Sequence, residues 1–505
     1  MVKTNKNILR SILILSYLAV IAFLVFGASA IFSYLNTGAD RSKMLHTEIK
    51  KEAKYLPKIV WDSISNEGRP MDLQTLNSLE KDYLDAWYVK HICYLTNTTT
   101  GLEDYYTENA RKNLFSFIEA NKKEGIHIEA TTLEHHPNLD FFSEDGQLAV
   151  LTDTNVVEYK TLYKKDSLAF ETIEISNYKV TLLLEDGFWR IRHLVKEHSE
   201  NYQDKGEPID VSNINIKGIN YYPQNTPWDM FGEAFSIKTI LNDFRIIKNA
   251  GLNTIRIFIQ YEDFGKGNVK PEKLEKLKKV LDLAEAEQLK VVVTLFDFYG
   301  DYSVLDYTIN QRHAETIVST FKNHNAIIAW DIKNEPNLDF DSRGKNKVLA
   351  WLKHMINLVK SIDKTHAVTI GWSNAESATI LKNELDFVSF HYYENLDNLD
   401  TTYKNLKSMI TDKPVVLGEF GLSSYSGIWN FYGESEKTQA EYYKKAQHII
   451  SKNNIPFMSW TLYDFNKIPK EVVGRLPWRK RTQEHFGFIN QKGETKPAFK
   501  YISKL

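Results

Sequence analysis

The sequence predicts an α/β chain in which a C-terminal (β/α)₈ barrel, residues 204–505, follows an apolar N-terminal helix and a small α+β domain. Three observations carry this reading. From about residue 210 onward, short apolar runs alternate eight times with helix-patterned segments, as in a parallel sheet with crossover helices. Residues 12–35 contain no charged side chain. Between these regions, two helical patterns precede alternating strands that meet at Asp186-Gly187.

The first element is the uncharged run. Its length matches the 20 or so residues that cross a bilayer as a helix, and Lys3, Lys6 and Arg10 precede it. Ala28-Ser29-Ala30 offers the small residues of a signal-peptide cleavage site. The apolar run continues past them through Ile31, Phe32, Tyr34 and Leu35, which favours a retained transmembrane anchor, residues 1–36, over a cleaved signal. Basic residues lie on both sides of the run, Arg41, Lys43, Lys50, Lys51 and Lys54 after it, so charge alone does not orient it. Long domains translocate largely regardless of charge, so the bulk of the chain is expected outside the cytoplasm, in a periplasm or at a cell surface. Residues 37–75 read as a charged helical stalk broken at Gly68-Arg69-Pro70.

Residues 76–203 follow. Leu79, Tyr83, Leu84 and Trp87, then Leu114, Phe115, Phe117 and Ile118, have helical spacing. Residues 126–130 and 178–182 alternate as strands, and Asp186-Gly187 is a hairpin signal with 188–192 returning. Helices followed by a curved antiparallel sheet that closes on such a strand resemble the NTF2-like fold. That resemblance implies an independent domain suited to binding a protein partner or to self-association. His135 and His136 beside Pro137 read as a strand edge or turn rather than a site. Residues 201–208 form a polar linker.

The eight barrel strands are expected at 214–219, 254–259, 290–295, 326–331, 367–371, 387–391, 415–418 and 456–461. Eight βα units in this length match a TIM barrel, where chemistry gathers at the C-terminal ends of the strands. Two of those ends carry a glutamate: Glu335 in Trp330-Asp331-Ile332-Lys333-Asn334-Glu335-Pro336, and Glu419 in Val415-Val416-Leu417-Gly418-Glu419-Phe420-Gly421. They stand three βα units apart. Cleavage of a glycosidic bond with retention needs such a pair, one carboxylic acid to protonate the leaving oxygen and one carboxylate to attack the anomeric carbon.

Other chemistries find little support. The 14 histidines show no compact metal-ligand spacing, and neither a metal nor an organic cofactor is expected. Phosphate-cradling glycine loops and serine-nucleophile elbows are absent from the sequence. The 63 basic residues nearly balance the 65 acidic ones, which gives no electrostatic footprint for nucleic acid. Cys93 is the single cysteine, so no intrachain disulfide forms.

On these residues the region from about 210 to 505 resembles the retaining (β/α)₈ glycoside hydrolases of clan A, most closely glycoside hydrolase family 5, the cellulase-like family. The resemblance implies Glu335 as acid/base and Glu419 as nucleophile. It further implies that Arg256, Asn334, His391, Tyr393 and Trp460 belong to the substrate site. Arg256 and Tyr393 would hold Glu419 ionised, Asn334 would bind a sugar 2-hydroxyl, and His391 would adjust Glu335. Trp460 would form a floor for a sugar ring. The sequence departs from the family's pattern at strand three, where Leu295-Phe296-Asp297-Phe298-Tyr299 lacks the usual histidine; Asp297 is the candidate replacement. Residues 464–484, with Trp478 and Arg479-Lys480-Arg481, are placed over the cleft. The implied activity is hydrolysis of a β-linked poly- or oligosaccharide, cellulase- or mannanase-like. The alternatives are transglycosylation and non-catalytic glycan binding during assembly of an exported polysaccharide.

Overall fold

The computed structural model describes residues 6–35, 54–165, 167–201, 209, 211, 214–427, 433–474 and 476–503. Helix α1 spans Lys6–Leu35, with side chains described for residues 13–29. Among the described residues no helix is long and apolar enough to cross a membrane; the expected crossing, residues 12–35, lies partly outside the described side chains. Residues 36–53, the first part of the stalk, and residues 202–208 of the linker also lie outside the described residues.

The described part of the stalk corrects its expected helicity. Residues 54–72 are not helical. Strand β1, Lys58–Ile59, pairs in parallel with β2, Ile126–Phe142, and the segment continues along that edge through Asp62 N to Pro137 O (3.1 Å) and Arg69 N to Phe142 O (3.0 Å). An otherwise open strand edge satisfies this segment's backbone groups, which outweighs its charged, helix-compatible composition.

The middle unit follows as α2 (Leu73–Thr96), α3 (Leu102–Tyr105) and α4 (Glu108–Glu124). The antiparallel sheet is β2, β3 (Leu148–Lys164), β4 (Ser167–Glu185) and β5 (Phe188–Asn201). Asp72 caps α2 by accepting from Thr75 N at 3.0 Å. Leu79, Tyr83 and Trp87, one helical face, pack with Leu151, Val180, Trp189 and Ile191 of the sheet. Asp186 and Gly187 both take positive φ, 52° and 84°, as the predicted two-residue hairpin turn requires.

His135 and His136 lie inside β2, not at a turn. His135 is fully buried, its Nδ1 2.6 Å from Asp153 Oδ2 and its Nε2 2.9 Å from Thr132 Oγ1, while the Tyr83 hydroxyl donates to the same Asp153 oxygen at 2.6 Å. Both histidines stand on the strand beside β1 rather than in a turn, and His135 is held in a satisfied interior network.

Eight parallel strands then close in chain order into the barrel: β6 (Lys217–Asn220), β7 (Thr254–Gln260), β8 (Lys290–Asp297), β9 (Ile327–Asn334), β10 (Ala367–Trp372), β11 (Val388–Tyr392), β12 (Val415–Phe420) and β13 (Phe457–Trp460). The principal crossover helices are α5 (Ile237–Asn249), α6 (Pro271–Ala286), α7 (Tyr307–Phe321), α8 (Lys345–Ile362), α9 (Leu399–Met409) and α10 (Glu436–Asn453). Inside the barrel Val292, Ala329, Val416 and Met458 share an apolar cluster. Two residues onward, where a strand returns to the same face, stand Thr294, Asp331, Gly418 and Trp460. The interior thus changes from an apolar plug to a polar layer as the strands reach their C-terminal ends.

The two units are not independent bodies. Leu133 and Tyr159 of the middle sheet belong to the barrel's hydrophobic core, with the Tyr159 and Tyr307 rings 4.8 Å apart and Tyr307 stacked on His354 at 5.0 Å. Lys347 binds Glu129 at 2.6 Å, and Leu56 bonds Thr308 and Arg312 through its backbone, each at 3.1 Å.

Candidate active site

Glu335 directly follows β9, and Glu419 lies in β12 one residue from its end. A carboxylate oxygen of each, together with a ring nitrogen of His391, lies within 4.8 Å of the others. Glu335 adopts left-handed backbone geometry, φ 49° and ψ 48°, a conformation that costs a non-glycine residue on the order of 1–3 kcal/mol and persists where the surroundings impose it. Its amide donates to Gly371 O at 2.7 Å, which ties the turn to the neighbouring strand.

Glu419 is 9% exposed. The Tyr393 hydroxyl donates to its Oε1 at 2.6 Å, and Arg256 Nη1 lies 3.5 Å from its Oε2. Although Tyr393 as a residue is 45% exposed, its hydroxyl end is enclosed; that enclosure first, and the Glu419 charge second, raise its pKa well above the usual range. The hydroxyl therefore keeps its proton and remains a donor.

Beneath the carboxylates lies a buried charge lattice. Arg256 reaches Asp331 through Nε at 3.0 Å, Asn334 Oδ1 through Nη2 at 3.0 Å and Asn220 Oδ1 through Nη1 at 3.1 Å. Asp331 also accepts from Thr294 Oγ1 at 2.7 Å and from Gly371 N at 2.9 Å. Burial alone would lower the Arg256 pKa, but Asp331 and then Glu419 outweigh it and raise it. Asn220 in turn donates to Gly418 O at 3.0 Å, in the strand that bears Glu419.

His391 pairs in register with Glu419 across β11 and β12. Its Nδ1 lies 3.0 Å from Glu335 Oε1 and 3.8 Å from Glu419 Oε2. A methyl at Gly371 would come within 2.7 Å of Arg256 Nη2 and 3.0 Å of His391 Nε2, so only glycine leaves these two side chains room.

Above this lattice opens a cavity of about 310 Å³ lined by Asp297, Asn334, Glu335, Tyr393, Glu419 and Trp460. Arg256 and His391, expected in the substrate site, are 2% and 1% exposed and are not among the residues that line the cavity; they lie against the carboxylates instead. Tyr222, Trp228, Phe258 and Phe298 complete the wall. Tyr222 stacks on Phe258 at 5.1 Å, and Trp228 lies 5.8 Å from Trp460. Asp297 accepts from the Tyr222 hydroxyl at 3.4 Å.

Sequence reading missed this aromatic box and missed Asp331 and Asn220. Phe258 was legible two positions after Arg256 on the same strand face, and Asp331 as a charge within a buried strand. The segment placed over the cleft does cover it, through Val472, Val473 and Gln483, with Phe486 just beyond it. These residues come from the short helices α11 (Lys470–Val473) and α12 (Pro477–Gln483) and the turn after them; Trp478 and the basic run are not among the lining residues.

Glu335, His391 and Glu419 offer three donor atoms close enough to hold a metal ion. Against that, Glu419 already accepts a hydrogen bond from Tyr393 and faces the Arg256 guanidinium at 3.5 Å, and a fixed guanidinium beside the site repels a dication.

Residues 204–466 match the family profile described as Cellulase (glycosyl hydrolase family 5). Mannan endo-1,4-beta-mannosidase A of Podospora anserina is 22% identical over 200 residues, covering 31% of this chain and 53% of the relative. Probable mannan endo-1,4-beta-mannosidase C of Aspergillus terreus is 27% identical over 242 residues, covering 37% and 60%. The chain spans about half the length of the curated relatives it matches. Among solved structures, an exo-beta-1,4-mannosidase from Opitutaceae bacterium strain TAV5 is similar with a TM-score of 0.49 and 16% identity, covering 60% of this chain and 61% of that one. With the profile matching more than half of its length, across a closed eight-stranded barrel that carries glutamates at the ends of its fourth and seventh strands, the chain belongs to glycosyl hydrolase family 5.

Proposed function

We propose that the chain hydrolyses β-glycosidic bonds in a mannan-like poly- or oligosaccharide with retention of configuration. One observation carries the mechanism: the Glu335 and Glu419 carboxylates approach within 4.8 Å. That is the short spacing of retaining enzymes, about 5–5.5 Å between carboxyl groups, and leaves no room for the water that inverting enzymes place between theirs. Glu419, aimed by Arg256 and Tyr393, attacks the anomeric carbon while Glu335 gives its proton to the departing oxygen. Glu335 then takes a proton from water, whose oxygen displaces Glu419 from the glycosyl ester. His391, in reach of both carboxylates, orients Glu335 through these two proton transfers. The Tyr222, Trp228, Phe258 and Trp460 box presents apolar faces to a sugar ring. The mannan-like substrate rests on the names of the curated relatives.

Proton NMR of the first products from β-1,4-mannan, β-1,4-glucan and their oligosaccharides tests this. The β-anomer should appear first, and from the mannan series. An initial α-anomer rejects the mechanism; turnover of the glucan series alone rejects the substrate.

The order of the middle unit, two long helices and then a four-stranded antiparallel sheet, supports an NTF2-like assignment. Leu13, Ile14, Leu15, Phe23 and Phe26 of α1 are each at least 61% exposed, which supports seating of this helix in lipid; the barrel is then placed outside the cytoplasm because long domains translocate largely regardless of charge. Membrane flotation and protease accessibility of intact cells check that placement.

A further inference from the structure

The middle unit has a cavity of its own, about 440 Å³, lined by residues of α2, α4 and the sheet. Its walls are largely apolar, with Tyr94, Leu114, Phe117, Ile128 and Leu194 among them. Lys90 enters this space from α2. The residue is 8% exposed, and its ammonium lies 3.4 Å above the centre of the Trp87 ring. Among the described residues it makes no hydrogen bond or ion pair. A buried ammonium without a counter-ion is costly, so this one stands out.

The nearest acid is already committed. Glu158 on β3 accepts from Lys160 at 2.7 Å, lies 3.3 Å from His91 Nε2 and 3.5 Å from the Tyr178 hydroxyl. Glu174 on β4 binds Lys160 at 3.2 Å and Lys196 of β5 at 2.6 Å. Three lysines thus face two glutamates, and Lys90 is the lysine without a glutamate partner. Arg192 and His193 of β5 also line the space. We propose that this cavity binds a small organic monocarboxylate with an apolar or aromatic body, its carboxylate on the Lys90 ammonium and its body against the Phe117 and Leu114 wall. A dianion is disfavoured by the Glu158 charge, and a polyhydroxylated sugar by the apolar lining.

The site's placement gives it a line to the barrel. Neighbouring side chains of a strand point to opposite faces; Glu158 faces the cavity while Tyr159 packs on Tyr307 of α7.

Burial lowers the Lys90 pKa to about 7, an effect that Lys160 and Lys196 add to and Glu158 opposes. A carboxylate bound there restores the proton, so binding at pH 8 takes up protons. Isothermal titration of the full chain with 3-phenylpropanoate and with 3-phenylpropanamide, its uncharged analogue, tests the proposal. The acid should bind once per chain, about tenfold or more tighter than the amide, as a charge-assisted hydrogen bond would give. Its enthalpy at pH 8 should depend on the buffer's ionisation heat, and Lys90→Met should erase the preference. Absence of saturable binding, equal affinity for acid and amide, or an unchanged preference in Lys90→Met would each overturn the assignment.

Discussion

The Tyr393 hydroxyl, carried just past the end of one barrel strand, donates a 2.6 Å hydrogen bond to the Glu419 carboxylate on the next. This contact and the Arg256 guanidinium at 3.5 Å hold the two oxygens of Glu419 in fixed directions. Tyr393→Phe removes one charge-assisted bond while keeping the ring that meets Phe486 at 5.9 Å. Turnover should fall by about 10- to 100-fold, the rate equivalent of 1.5–3 kcal/mol, with the melting temperature little changed. Steady-state kinetics on a mannan oligosaccharide and thermal unfolding of both proteins measure this; wild-type turnover in the variant would show that the bond does not serve the reaction.

Glu335→Gln and Glu419→Gln should each lower turnover by roughly a thousandfold or more, since each step of a two-carboxylate displacement needs both groups. Folding should survive both changes, because the isosteric amides keep the space filled and Arg256 retains Asp331. Circular dichroism together with kinetics decides the matter. A variant that is folded and still fully active would remove that glutamate from the mechanism.

Asp331 has a different task. It holds Arg256, Thr294 and the Gly371 amide together at 1% exposure. Asp331→Ala strands a buried guanidinium and should destabilise the fold by about 3–5 kcal/mol, as expected when one partner of a buried pair is removed. Chemical denaturation gives the value, and a loss below about 1 kcal/mol would mean that Glu419 and water replace Asp331 without difficulty.

Activity should withstand a chelator. The donor set of Glu335, His391 and Glu419 is close enough for a metal, but Arg256 and Tyr393 already serve Glu419. Dialysis against EDTA should leave the rate on mannan oligosaccharides unaltered. A loss that one divalent ion restores, without a change in melting temperature, would assign a metal to the reaction.

Lys90 sets a pH dependence of stability. Its pKa falls from 10.5 to about 7 on folding because burial disfavours the ammonium. Between those values the unfolded chain binds more protons, so this residue's penalty is complete below about pH 7 and fades as pH rises toward 10.5. Lys90→Met should therefore stabilise the protein by a few kcal/mol at pH 6, with the gain shrinking at pH 9. Urea unfolding at the two pH values checks the sign; a gain that grows with pH contradicts it.

The sequence by itself determined the barrel, its eight strands in order and the two glutamates at the ends of the fourth and seventh. Those features are local: a buried parallel strand is a short apolar run, and the residue that follows it stands at the mouth whatever the rest of the chain does. Asp186-Gly187 was legible for the same reason, since positive φ is a property of the residues themselves. Tertiary structure alone decided which polar groups meet. Arg256 and Asp331 are 75 positions apart, and nothing near either names the other. Their pairing joins alternate strands of the barrel, β7 and β9, whose inward side chains meet in one layer inside the closed barrel. The middle unit shows the same limit. The extended path of residues 54–72 exists because β2 offers a free edge, and Tyr159 reaches the barrel core only because folding brings Tyr307 to it. Periodicity shows which side of an element is buried; the partner across that face is supplied by distant chain, and only the folded arrangement identifies it.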